Sequence, residues 1–146
     1  MVTLPITLTI AAAAALINIW LGIRVSQLRI RDKVSIGDAG NNRVACRMRA
    51  HANFIEYTPI FLILLAAVEM ARGPQTWLWA VAILYILGRL AHPFGMDRPA
   101  PNPFRMVGTI ITWAMLVGLA AYALTIPYSS QSGRTAPAPY AAAGTA

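Results

Sequence analysis

Arg49, Asn53 and Glu56 stand at i, i+4 and i+7 of one stretch, a spacing that puts all three on one face of a helix. At 1.5 Å per residue, Glu56 lies roughly 10 Å further along the helix axis than Arg49. A stripe of cation, amide and anion can hold a zwitterionic ligand. Arg grips a carboxylate through two parallel hydrogen bonds, Asn donates and accepts, and Glu takes an ammonium group. The same stripe can equally be a polar network between helices, with Glu56 paired to Arg49 or to an arginine of a neighbour, and spacing alone leaves both readings open. Arg89 and His92, at i and i+3, also share a face. They can bind an anion together, or Arg89 can snorkel to a membrane surface while His92 caps carbonyls ahead of Pro93. Arg105 follows Pro99, Pro101 and Pro103. It suits an interface anchor, and beside a bound thiol it would stabilise the thiolate.

Other chemistries lack their residues. Cys46 is the only cysteine, so the chain forms no internal disulfide and has no paired-Cys metal or redox motif; a free thiol is expected. His51 and His92 are the only histidines, too few for a haem pair or a histidine-based metal centre, and no metal ligands are assigned. A glycine loop that could cradle a phosphate is missing as well.

The elements that must position these side chains follow from composition. Of 146 residues, 58% are hydrophobic and 12% charged, and the mean hydropathy is +0.57. Soluble domains carry about 25% charged residues, so a water-soluble globule is excluded. About 20 apolar residues cross a bilayer core, and four such runs occur, predicting helices over about 5–24, 50–70, 76–95 and 105–126. No basic residue precedes the first run, and it is longer than a signal-peptide core, so it reads as a span. Trp77 and Trp79 open the third run with aromatics that favour a headgroup boundary. The fourth run carries no charge from Met106 to Ile126 and is expected to stop at Pro127. The expected fold class is all-α, an integral membrane four-helix bundle over residues 1–128. The Ser-, Ala-, Pro- and Gly-rich stretch 129–146 is expected to be a disordered tail.

The formal charge of +7 is first a topology signal. Between the first two runs, Arg24 to Arg49 holds seven cationic residues against Asp32 and Asp38. Gly37, Gly40 and Asn41-Asn42 there suggest turns rather than one continuous helix. Arg98 and Arg105 fall on the same side, whereas the opposite side has only Arg72 and Arg134. The positive-inside tendency places the basic 24–49 loop in the cytoplasm and both termini outside. Attraction to anionic membrane lipid is a secondary consequence of this charge, and nucleic acid is not an expected partner.

The segment Arg47-Met48-Arg49-Ala50-His51-Ala52-Asn53-Phe54-Ile55-Glu56-Tyr57-Thr58-Pro59 resembles the signature of the MAPEG family, the membrane-associated proteins of eicosanoid and glutathione metabolism. The four-span layout, the basic first loop, Gly88-Arg89-Leu90-Ala91-His92 and an arginine at the head of the fourth run agree with it over about residues 5 to 127. The bacterial inner-membrane branch is the most similar. The resemblance implies a homotrimer that binds glutathione between subunits near the cytoplasmic face. It also implies a transferase or peroxidase acting on small hydrophobic electrophiles or lipid hydroperoxides, with glutathione as co-substrate. It places Arg49, Asn53, Glu56, Tyr57, Arg89 and His92 at glutathione-binding positions, and Arg105 at the position that stabilises the thiolate. Arg98 is the alternative for that last role, because the preceding loop varies in length. Arg29 and Arg31 match the family's basic loop loosely. One position departs: the tyrosine that closes the third helix in eicosanoid-synthesising members is Met96 here, which cannot donate a hydrogen bond. That departure motivates a second expectation, a non-catalytic scaffold serving as accessory subunit of a larger membrane complex or as a small-molecule binder.

Overall fold

The computed structural model describes residues 3–131, which form four helices: α1 (Pro5–Arg31), α2 (Asn42–Arg72), α3 (Thr76–Met96) and α4 (Pro103–Gln131). All four are long and apolar enough to cross a membrane. The architecture is all-α, with no strand among the described residues. The connections are short and the helices alternate in direction, so the chain ends of α1, α2, α3 and α4 that carry Arg31, Asn42, Met96 and Pro103 meet at one pole. α1 and α4 are the one helix pair without contact.

Several boundaries differ from the sequence expectation. α1 continues to Arg31 instead of ending near 24, and α2 begins at Asn42 instead of near 50, leaving only residues 32–41 as linker. The reason is that hydropathy marks the thickness of the bilayer, whereas Arg, Leu, Gln and Met sustain helix beyond it. The linker is where backbone conformation changes hand, with positive φ at Lys33, Gly37, Ala39 and Gly40. The Asn41 side chain then caps α2 by accepting from the Arg43 and Val44 amides. The Asp32 carboxylate ties the linker together, accepting from Arg31 Nε and Asn41 Nδ2, both at 2.8 Å. Those bonds, with Arg31 the larger influence, hold its carboxyl below the usual carboxylate range.

α4 likewise passes through Pro127 rather than stopping there. Proline removes one backbone donor, and hydroxyls around it take up helix carbonyls: Thr125 Oγ1 donates to Tyr122 O at 2.7 Å and Ser129 Oγ to Ile126 O at 3.0 Å. Ser129–Gln131 therefore belong to α4, and the rest of the expected tail lies outside the described residues.

Inside a bilayer, apolar burial gives no general drive to associate, so the helices must be held by close packing and specific polar bonds. Three glycines bring α3 and α4 together. A Cβ on Gly108 would stand 2.7 Å from Gly88 O, and one on Gly95 would stand 2.2 Å from the Arg105 amide nitrogen. At the pole opposite the basic linker, Glu69 is 1% exposed and caps α1. Its carboxylate accepts from the Ile6 and Thr7 amides at 2.9 and 2.8 Å and from the Thr7 hydroxyl at 2.7 Å. A carboxylate at a helix N-terminus meets free N–H groups and the positive end of the dipole. In the core, Phe61 stacks on Tyr85 with ring centroids 3.6 Å apart, and the Tyr85 hydroxyl bonds Thr58 at 3.2 Å. His51 Nε2 bonds Asn18 Oδ1 at 2.8 Å, tying α2 to α1.

Candidate functional site

The site is built at the basic pole, where three helix segments converge. α2 projects Arg49 and Asn53 one turn apart, α3 ends with His92 and Met96 one turn apart, and α4 starts with Arg105 and Thr109 one turn apart. These six side chains line one pocket of about 170 Å³. Gly95 is what allows α4 to begin directly against α3, because its missing side chain leaves room for the Arg105 backbone.

Of the sequence-nominated residues, Arg49, Asn53, His92 and Arg105 thus come together. Arg89 does not reach the pocket. It is 1% exposed and lies behind Asn53, donating from Nη1 to Asn53 Oδ1 at 2.9 Å and to Thr112 Oγ1 at 3.2 Å. Its guanidinium also stands 5.4 Å from the Phe54 ring centroid. A buried arginine bonded to Asn53 fixes the orientation of that amide, an effect separate from direct ligand contact. Glu56 is exposed on the outer face of α2, and none of the described ion pairs includes it. Tyr57 points toward α4, where its hydroxyl accepts from Trp113 Nε1 at 3.2 Å.

Arg98, the alternative to Arg105, faces elsewhere. It covers the Phe104 ring at 5.1 Å and lines a separate polar recess of about 450 Å³ with Asn42, Arg43, Cys46, Arg47, Met96, Asp97 and Pro99. Met96 is the shared wall between this recess and the six-residue pocket. Next to it Asp97 clamps the end of α3, accepting from Arg24 and from Arg47 Nε at 3.4 Å, while Arg47 Nη1 donates to Arg24 O at 2.9 Å. Arg24 in turn stacks on Trp20.

An apolar groove adjoins the pocket. It has about 630 Å³ and is lined by Pro101, Pro103, Met106, Ile110 and Trp113, with Arg105 and Thr109 common to both spaces. A cation therefore sits where a polar recess opens onto an apolar one. In low dielectric it attracts an anion far more strongly than it would in water. Arg49, Asn53 and Arg105 can bind carboxylates or a thiolate, and the groove can hold an apolar molecule.

Sequence reasoning missed Thr109, Thr112, Asp97 and the role of Glu69. Thr109 stands one turn after Arg105 and so shared its face; that spacing was the available signal. Asp97 and Glu69 act on other helices, and nothing local to either announces its partners.

Four helices long and apolar enough to cross a membrane, with a cationic recess between α2, α3 and α4, define an integral membrane protein with a small polar pocket near one end of its bundle. Its sequence matches the MAPEG family over residues 7–125. It is 32% identical over 108 residues to the inner membrane protein YecN of Escherichia coli (strain K12), covering 73% of this chain and 81% of that protein. The protein of the same name from Escherichia coli O6:H1 (strain CFT073) matches with the same figures. The chain belongs to the MAPEG family.

Proposed function

We propose that this protein is a glutathione-dependent transferase or peroxidase of the bacterial inner membrane, acting on small hydrophobic electrophiles or lipid hydroperoxides. The observation that carries the reading is the position of Arg105, shared by a polar pocket and an apolar groove. Arg49 and Asn53 hold the tripeptide's charged ends, Arg89 steadies Asn53, and Arg105 faces the thiolate. The apolar co-substrate reaches it sideways from lipid through the groove, and Tyr57 steadies the groove wall through Trp113.

The active species is a homotrimer. Two observations support this. The pocket of about 170 Å³ within one subunit is smaller than the roughly 300 Å³ at which small-molecule sites begin. Glu56, exposed near the middle of a helix of 31 residues, would otherwise face lipid. A charged group within a membrane span is costly unless it is paired or covered, so a covering neighbour is the physical remedy. A second copy over this face completes the pocket and brings Glu56 to the ligand's ammonium group. The basic pole lies in the cytoplasm and both termini lie outside.

The test is direct. Purified protein is expected to bind glutathione and conjugate it to chlorodinitrobenzene or reduce a lipid hydroperoxide, with Arg105→Ala losing turnover; an inactive protein that binds no glutathione rejects the reading. Met96 on the pocket wall favours the second reading, a binder or an accessory subunit of a larger complex, because a thioether offers the ligand no hydrogen bond. Co-extraction of one stoichiometric partner, with acyl chains in the pocket, would support that reading instead.

A further inference from the structure

We propose that His92 accepts the proton of the thiol, held by Thr109 in the tautomer that this requires. The inference rests on the glutathione reading above. His92 is 4% exposed, and its Nδ1 faces two oxygens of α4, the Arg105 carbonyl at 3.4 Å and Thr109 Oγ1 at 3.3 Å. The Thr109 hydroxyl donates to that same carbonyl at 2.9 Å. A carbonyl only accepts, and the hydroxyl proton is already committed to it, so both oxygens meet Nδ1 as acceptors. That nitrogen must carry the hydrogen.

In a neutral imidazole the lone pair then resides on Nε2, the opposite edge of the ring. No hydrogen-bond partner holds Nε2 among the described residues. Nor is it sealed in, since the one buried side-chain nitrogen or oxygen without a partner among them is Arg89 Nε. His92 lines the pocket with Arg49, Asn53 and Arg105. In this proposal Nε2 opens on the pocket, so that one small space presents a lone pair and guanidinium groups together, a pairing suited to splitting S–H. The thiol S–H bond breaks, its proton passes to Nε2 to give imidazolium, and the electron pair stays on sulfur, facing the Arg105 guanidinium. With chlorodinitrobenzene the thiolate forms the C–S bond, chloride leaves, and the imidazolium returns its proton to water.

His92→Asn separates this role from a structural one, because the Asn amide can still donate to the Arg105 carbonyl while the Nε2 lone pair is gone. For the full chain in detergent, thiolate formation after rapid mixing is expected to slow roughly 100-fold or more, well beyond any accompanying loss of glutathione affinity measured by calorimetry. Thr109→Val is expected to slow it less, with Thr109→Ser restoring it. Nitrogen NMR of the His92 ring, read without any ligand, is expected to show the proton on Nδ1. Wild-type thiolate kinetics in His92→Asn, or a proton on Nε2 with Nδ1 bare, would overturn the role and leave the glutathione reading standing. A wild-type protein that binds no glutathione overturns both.

Discussion

Single side chains here do work that their neighbours in sequence do not reveal. Arg49, Asn53, His92 and Arg105 were readable as candidates because each is a polar residue in or beside an apolar run, where an ionisable group needs a reason. Arg89 met the same criterion, yet its Nη1 is spent on Asn53 and Thr112. Which of the two a buried arginine does depends on what faces it across the bundle, and spacing along one helix does not contain that information. Removing Arg105 is expected to lower kcat/KM at least about 100-fold, the scale of losing one group that stabilises developing negative charge. Steady-state kinetics of Arg105→Ala check this, with Arg98→Ala, whose side chain faces the other recess, expected within about threefold of wild type. Glu69 makes a separate prediction about stability. Glu69→Gln keeps an acceptor but loses the charge at the α1 N-terminus, and is expected to destabilise by about 1–3 kcal/mol. Thermal unfolding in detergent measures it.

At the scale of elements, the four apolar runs located the helices because transfer into hydrocarbon dictates them residue by residue. What hydropathy could not register was helix outside the bilayer. Arg24 to Arg31 and Asn42 to Arg49 read as loop because they are charged, although nothing in them breaks a helix. The glycines that did mark turns, Gly37 and Gly40, were legible through their backbone freedom. Gly88, Gly95 and Gly108 were not, since their purpose is the approach of a second helix. Adding one methyl group at Gly108 meets backbone, so Gly108→Ala is expected to cost about 1–3 kcal/mol, whereas Gly118→Ala, with open space around it, is expected to be neutral or slightly stabilising. Unfolding of the pair under identical conditions decides this. The linker makes a pH prediction. Because the Asp32 carboxyl is held below its ordinary value of about 3.9, its ties to Arg31 and Asn41 persist at all higher pH and loosen as pH falls below that value. Hydrogen-exchange protection of residues 32–41, measured against the intrinsic exchange rate at each pH, is expected to fall only in that acidic range.

For the whole molecule, charge and exposure argue together. Most cations lie at one pole, and the exposed side chains along the helices are largely apolar, including Leu16, Ile60, Ile63 and Val117. Lipid and neighbouring subunits are the two environments that accept such a surface, and the proposed trimer sets a neighbour over Glu56. The single Cys46 sits at the basic pole and reports orientation. A membrane-impermeant thiol reagent is expected to spare it in intact spheroplasts and label it in inverted vesicles; the reverse pattern would turn the protein over. An assembly leaves no mark in a single chain's hydropathy, which is why the proposed trimer came from resemblance, with the exposed Glu56 and the small pocket as its support. The central claim is that glutathione occupies the recess beside Arg49, Asn53, His92 and Arg105. The most direct measurement is an experimental structure of the assembled protein at saturating glutathione. Tripeptide density with its sulfur against Arg105 and its ammonium group near Glu56 is the predicted result; an acyl chain or side-chain-filled recess at that concentration would contradict it.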